Sequence, residues 1–296
     1  MKKHILTIDI GGTTFTSSLF DSNLKQLDIT TESRICNYKT KTELILAFYD
    51  QLVTLYSKNK ISIDKIAGLG ISAPGPLDSR KGLILETPNL TILQNTNIVQ
   101  LLESKLKIPV ALENDANLFS WGEWYNYYKN KDVTLGITLG SGLGVGIIIG
   151  GKIFKGSHGM GAEYGISPVK WGVWEDEISI KGIENISKLE FCKIKSPKEL
   201  FILAKEKNKT ALNIWKNFGY KLGLFCSHLI NMIDPAVITF GGGISKAFPY
   251  YNNSINETLT KYSPSFNYNS IMIKESHSQL NSIHTGAALN LKTIFF

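Results

Sequence analysis

Asp9-Ile10-Gly11-Gly12-Thr13-Thr14 is the stretch that decides the fold, once it is read with its flanks. Before it, Ile5 to Ile10 is nearly continuously apolar and reads as a buried strand. After it, Phe15 to Phe20 returns antiparallel as far as the turn Asp21-Ser22-Asn23. A Rossmann turn would carry the full Gly-x-Gly-x-x-Gly spacing and open a helix. A P-loop would end in Gly-Lys-Ser/Thr. Neither is present: the glycine turn joins one strand to another.

The same pattern begins again in the second half. Leu135 to Leu139 runs into Gly140-Ser141-Gly142-Leu143-Gly144-Val145-Gly146, and Val145 to Ile149 makes the return strand. A third glycine cluster, Gly241-Gly242-Gly243, stops the buried strand Val237 to Phe240. Each half thus opens on a glycine-turned hairpin and continues into mixed strands and helices, which predicts two similar α/β lobes enclosing a cleft. Helical spacing marks Thr42 to Ser57, Ile98 to Leu106, Asn117 to Tyr128, Pro197 to Lys207, Thr210 to Ile233 and Thr285 to Thr293. Ile66 to Ser72 and Val110 to Leu112 read as strands, and 156–172 as a glycine-rich loop.

At 296 residues the chain holds one large domain or two ordinary ones, and 43% hydrophobic with 19% charged residues is a globular composition. No apolar run reaches the roughly 20 residues of a membrane helix. A first strand that starts at Ile5 leaves no room for a signal peptide, so the expectation is a cytoplasmic protein with no membrane partner. Cys36, Cys192 and Cys226 are far apart and in no paired spacing, which reads as reduced thiols rather than a disulfide framework or a zinc site. The net charge is +7, but the lysines are scattered among Glu199 and Glu206 as on a solvated helix face. With no arginine cluster or interleaved aromatics, no nucleic-acid partner is expected. The positive excess favours anionic ligands such as ATP.

A bare glycine backbone exposes several N–H donors, and such concavities hold phosphate oxygens. Two readings of the first turn are open. In one, the Gly12 to Thr14 amides and hydroxyls face phosphate while Asp9 orients magnesium through water. In the other, a Gly-Gly hairpin is merely capped by a buried Asp9. Glu113-Asn114-Asp115 also reads two ways, because it ends a strand and precedes a helix. Asn and Asp are preferred helix caps, worth about 1 kcal/mol. Asp115 would equally serve as a general base at the mouth of a cleft. An ordinary aspartate is a weak base, yet phosphoryl transfer needs the attacking hydroxyl only to be oriented and deprotonated late. Thr138-Leu139-Gly140-Ser141-Gly142 repeats the hydroxyl and amide set with more glycines than a hairpin requires. Gly241 to Gly243 is either a strand-ending turn or a place where adenine or ribose approaches the backbone.

In this order the motifs resemble the ROK family (repressors, uncharacterised reading frames and sugar kinases) of the actin-like ATPase superfamily. The pieces that carry the resemblance are Asp9 to Thr13, Gly70-Ile71-Ser72-Ala73-Pro74-Gly75-Pro76-Leu77-Asp78, Thr87-Pro88-Asn89-Leu90, Glu113 to Asn117, Leu139 to Gly146, Glu163-Tyr164-Gly165 and Phe240 to Gly243. The resemblance implies a two-lobed, ribonuclease H-like α/β fold with ATP and magnesium as cofactors. The expected lobes are 1–117 with 284–296, and 118–283. Asp115 matches the family's catalytic base. Asn89, Asn114 and Glu163 match positions that hydrogen-bond sugar hydroxyls, and the register of Ser179 and Ile183 puts Glu175 at a further sugar-contacting glutamate. Gly11, Gly12, Thr13 and Thr14, with Thr138, Gly140, Ser141 and Gly142, match phosphate-binding loops; Gly241, Gly242 and Gly243 lie on the adenosine side. A homodimer is also implied.

The chain departs from the pattern in one region. Many members follow Glu-x-Gly with a histidine and a Cys-x-Cys-Gly-x-x-Gly-Cys zinc loop. Here the histidine position is Ile166, and 169–183 contains no cysteine, so no structural zinc is expected. His158 is a lone histidine and reads as a surface or turn residue. The leading expectation is a glucokinase-like enzyme acting on a hexose or hexosamine, with glucose first and N-acetylglucosamine, N-acetylmannosamine and fructose as alternatives. A repressor would carry an added helix-turn-helix segment ahead of the first strand. A catalytically weak sugar sensor is prompted by the missing histidine and zinc loop, and the intact Asp9 and Asp115 speak against it.

Overall fold

Polar and apolar residues do not alternate along the first strand, β1 (His4–Ile10), because it is covered on both faces: Ile5, Leu6, Thr7, Ile8 and Ile10 are all buried. The computed structural model describes residues 3–170 and 172–295. In it β1 pairs antiparallel with β2 (Thr14–Asp21), and the turn closes where the Gly11 N–H donates to the Thr14 carbonyl oxygen at 2.8 Å. β2 continues the meander to β3 (Gln26–Ile29). On its other side β1 runs parallel to β4 (Ile66–Ala73), and β4 parallel to β5 (Val110–Asn114). The order is β3-β2-β1-β4-β5, with the short strand Ser33–Arg34 added beside β2.

Parallel neighbours need crossovers, and helices supply them. α1 (Lys41–Lys58) starts on a capping box in which the Glu43 N–H donates to Thr40 Oγ1 at 3.2 Å and the Thr40 N–H to Glu43 Oε2 at 3.3 Å. It buries Leu44, Ile45, Phe48, Leu52 and Leu55 in the core that covers the sheet. α2 (Ile98–Leu106) then leads into β5.

The helix after β5, α3 (Asp115–Tyr127), is buried without interruption from Ala116 to Glu123. The reason is the final helix, Gln279–Phe295, which crosses it backbone to backbone. A Cβ on Gly122 would lie 1.8 Å from the Ser282 carbonyl oxygen, and one on Gly286 would lie 2.0 Å from the Leu118 carbonyl oxygen. The chain accordingly divides into Met1–Tyr127 with Leu280–Phe296 and, separately, Tyr128–Gln279. The boundaries expected at 117 and 284 fall instead at 127 and 280, because this glycine crossing binds α3 and the final helix into one unit.

A buried histidine also fixes the final helix. His284 Nδ1 lies 2.8 Å from Thr7 Oγ1 and its Nε2 lies 3.0 Å from Thr16 Oγ1. Burial pushes its pKa down from 6.5 to about 3, so the native state refuses a proton that the unfolded chain accepts. The stability it contributes is complete above pH 6.5 and is lost as pH falls towards 3. Between pH 7 and 4.5 this one group is expected to remove about 3 kcal/mol. Guanidinium chloride unfolding of the wild type and of His284→Gln at both pH values checks it: the variant's stability should fall less steeply, and equal slopes would contradict the assignment.

The second unit repeats the strand arrangement. β6 (Val133–Leu139) and β7 (Leu143–Ile149) form the glycine-turned hairpin, and β8 (Lys152–Ile153) extends it antiparallel. β6 runs parallel to β9 (Val237–Gly241), and β9 to β10 (Met272–Glu275), giving the order β8-β7-β6-β9-β10. Its helices are α4 (Trp174–Ile178), α5 (Ile180–Phe191), α6 (Pro197–Lys205), α7 (Lys209–Ile233) and α8 (Phe248–Tyr262), followed by a short helix at Pro264–Tyr268. The apolar stripe of α7 is core: Trp215, Phe218, Leu222, Phe225 and Leu229 are buried, and Leu212 partly so. Of these helices, α4, α5, α8 and Pro264–Tyr268 were outside the expected elements. Among the described residues, no helix is long and apolar enough to cross a membrane.

Candidate active site

β1, β4 and β5 run parallel and finish level, with Asp9 in register with Ser72 and Ser72 with Glu113. The glycine turn at 11–14 and the Asn114-Asp115 bend therefore leave the same edge of one sheet. In open α/β sheets the carboxyl ends of the strands are where ligands bind. Asp9 and Asp115, over a hundred residues apart in sequence, come from strands with only β4 between them.

Asp9 is half-buried. Its Oδ1 accepts a hydrogen bond from the Ser72 hydroxyl at 2.7 Å, yet burial outweighs that bond and pushes its pKa up to about 6. No ion pair offsets its charge among the described residues. A carboxylate short of compensating positive charge is the hard oxygen donor that suits magnesium. Ser72, 63 residues away in sequence, was part of a motif but had no role in the sequence reading.

Gly12 has to be glycine because of Asn89. A Cβ there would lie 2.7 Å from the Asn89 carbonyl oxygen and 3.2 Å from its Cβ, so the absent side chain lets the 87–90 loop settle on the turn. Asn89 itself is exposed. On the turn's other flank, Gly12, Thr13 and Thr14 line a concavity of about 530 Å³ with Glu32, Arg34, Ile35 and Cys36. Arg34 is the β-partner of Thr14 and one of only two arginines in the chain. That scarcity is the signal the sequence holds for Arg34.

Capping and orientation coexist at the β5–α3 bend. Asn114 Oδ1 accepts from the Ala116 and Asn117 N–H groups at 3.0 and 3.2 Å, as a helix cap does. Asp115 is the first helical residue, two positions earlier than the expected start at Asn117, and its Oδ1 accepts from the Ala116 N–H at 2.8 Å. Glu113 is buried beneath them. Its Oε1 accepts from the Asn114 N–H and from Asn117 Nδ2, both at 3.0 Å, and so sets the angle at which Asp115 emerges.

In the second unit, Thr138 is in register with Gly144 on one side and Gly241 on the other. The hairpin turn and the Gly241–Gly243 turn thus leave adjacent strand ends. The Gly140 N–H donates to the Gly142 carbonyl oxygen at 3.0 Å, and a Cβ on Gly140 would meet nothing within 4 Å, so open space lies over this turn. Gly242 differs. With φ at +92° and a would-be Cβ 2.0 Å from the Leu139 carbonyl oxygen, its glycine is dictated by packing. Its N–H donates to the Gln279 side-chain oxygen.

Glu175, at the start of α4, accepts from the Leu143 N–H through Oε2 at 2.8 Å and so holds the exit of the hairpin turn. Glu163 opens a single 3-10 turn, Glu163–Ile166. Desolvation, and after it the Glu175 charge, push the Glu163 pKa up. The two carboxylates therefore share one neighbourhood. Ile166 stands exposed, His158 lies exposed in a turn, and the expected loop includes a small hairpin pairing Pro168–Val169 with Gly172–Val173.

Known proteins match this chain along nearly its whole length. A glucokinase from Thermotoga maritima is 26% identical over 294 residues, covering 90% of each chain. An N-acetyl-D-glucosamine kinase from Aliivibrio fischeri is 25% identical over 305 residues, covering 96% of this chain and 98% of its own. The crystal structure of a ROK hexokinase from Thermus thermophilus superimposes with a TM-score of 0.82 at 22% identity, over 98% of both chains. The fold is that of the actin-like ATPases, built from the paired hairpin-plus-parallel sheets described above. The ROK family model matches residues 5–293, and the chain belongs to the ROK family.

Proposed function

We propose that the protein is a sugar kinase that transfers the terminal phosphoryl group of ATP to a hydroxyl of a hexose or hexosamine, with Asp115 as general base. One observation carries the reading: the ends of β1 and β5 bring the Asp9 turn and the Asp115 bend to a single sheet edge. A phosphate-holding backbone and a proton-accepting carboxylate are the two parts such a transfer requires.

Each group has a stated task. The amides and hydroxyls of Gly11, Gly12, Thr13 and Thr14, and those of Thr138, Gly140, Ser141 and Gly142, hold phosphate oxygens. Gly241, Gly242 and Gly243 receive the nucleoside. Asn89, Asn114, Glu163 and Glu175 hydrogen-bond sugar hydroxyls, so that a sugar lacking a matching hydroxyl leaves a polar group unpaired. Asp9 would hold magnesium through water, and the bound ion would neutralise charge on the phosphate oxygens. The attacking hydroxyl forms the new O–P bond as the bond to the ADP oxygen breaks, and its proton passes to Asp115. The Ala116 N–H keeps that carboxylate turned for the transfer.

Glucose is the first acceptor in this reading, because the residues named are the common hexose set. A homodimer without structural zinc, working in the cytoplasm, belongs to the same proposal. Incubating the protein with ATP and magnesium against glucose, N-acetylglucosamine, N-acetylmannosamine and fructose, and following ADP release, tests it. Release that depends on one of these sugars is expected. Sugar binding with no ADP release from any of them would instead identify a sensor.

A further inference from the structure

We propose that Tyr164, Trp174, Phe225 and His228 form a clamp that sets the spacing of Glu163 and Glu175, making Tyr164 and His228 positioning residues for the acceptor sugar. The inference rests on the sugar-binding role proposed above for those two glutamates.

Two carboxylates in one neighbourhood repel, and the Glu175 charge is already felt at Glu163. Left to exposed loops, the pair would drift apart. The chain prevents this by giving each glutamate an aromatic neighbour in sequence: Tyr164 follows Glu163, and Trp174 precedes Glu175. Both rings converge on one turn of α7. The Tyr164 ring centroid lies 5.3 Å from Phe225, and the Trp174 ring meets Phe225 edge-on at 5.6 Å. Both also face His228, at 6.1 and 5.6 Å.

Phe225 and His228 are three residues apart on a helix of 25 residues, so they share a face. Two glutamates carried on separate segments are thereby referenced to a single rigid element. The Tyr164 hydroxyl completes the clamp with a 2.6 Å hydrogen bond to His228 Nδ1. Glu175 has a second anchor in the Leu143 N–H, and the turn that carries Glu163 rests on the same residue, where a Cβ on Gly165 would lie 2.3 Å from the Leu143 carbonyl oxygen. The Tyr164–His228 bond is exposed, so water replaces it readily. Its loss should therefore cost little stability and show chiefly as misplacement of Glu163.

Steady-state kinetics of the full chain as Tyr164→Phe, His228→Ala and His228→Gln test the clamp. In the first two, KM for the sugar is expected to rise about tenfold, with kcat and KM for ATP within about twofold and Tm nearly unchanged. His228→Gln, which can still hydrogen-bond the phenol, should recover most of the loss. Tyr164→Phe combined with His228→Ala should be no worse than either alone, as for two halves of one interaction. An unmoved sugar KM would overturn the proposal, as would parallel rises in both KM values together with a lower Tm, which mark general loosening. Should the wild type phosphorylate no sugar, the kinase reading fails on its own. Calorimetric titration with glucose and N-acetylglucosamine then decides the clamp: weaker binding by Tyr164→Phe sustains it, and equal or absent binding by wild type and variant rejects it.

Discussion

Replacing Asp115 with asparagine is expected to lower kcat by about a thousandfold, within the range a general base contributes, while the sugar dissociation constant changes by less than about threefold. Asparagine has the same shape, and its carbonyl oxygen can still accept the Ala116 N–H that holds Asp115 Oδ1 at 2.8 Å. The Asn114 cap and the Glu113 anchor beneath it are untouched. What disappears is the proton acceptor. ADP release against time, paired with calorimetric titration of the sugar, separates the two quantities. Retained turnover would remove Asp115 from the reaction, and lost sugar binding would mean that it holds substrate instead.

Asp9→Asn should move stability and activity in opposite directions. Burial raises the Asp9 pKa from 3.8 to about 6, so the native state binds this proton more tightly than the unfolded chain does. The stability contributed by the group is complete below pH 3.8 and is lost as pH rises through 6. At pH 8 the ionised carboxylate is thus a burden that asparagine removes, for a gain of about 2 kcal/mol in the ligand-free protein that vanishes near pH 4. The Ser72 hydroxyl can still donate to the amide oxygen. Turnover should nevertheless fall at least a hundredfold, because the carboxylate that would hold magnesium is gone. Denaturant unfolding at the two pH values and a kinase assay at pH 8 measure both effects. A variant less stable than wild type at pH 8 would contradict the burial argument, and one that is stable and fully active would place Asp9 outside the chemistry.

The hairpins were legible because their signals are local. Gly11-Gly12 and Gly140 to Gly142 each sit between two apolar runs, and both turns are closed by backbone hydrogen bonds within four residues. α1 and α7 announced themselves by apolar stripes with one solvated face. α8 did not, since Tyr251, Ile255 and Leu259 are separated by Asn252, Asn253 and Asn256, which dilute the pattern. α3 has no solvated face along most of its length, so its membership of the first unit had to wait for the final helix. That crossing joins Gly122 to Ser282, a contact no local window holds.

The candidate site divides in the same way. The glycine turns and Asp115 stood out as motifs in sequence. Their supports did not: Ser72 under Asp9, Glu113 under Asp115 and His228 beside Tyr164 are ordinary residues until the fold brings them close. Of the two readings of Glu113-Asn114-Asp115, the structure bears on the cap, which falls to Asn114.

Phosphorus NMR of the wild-type protein with ATP, magnesium and the best acceptor sugar follows each phosphorus atom directly. Our reading predicts a new phosphate monoester signal that grows in step with ADP as the terminal ATP signal fades. Inorganic phosphate in place of the monoester, or ATP left whole beside bound sugar, would mean that no transfer to a hydroxyl takes place.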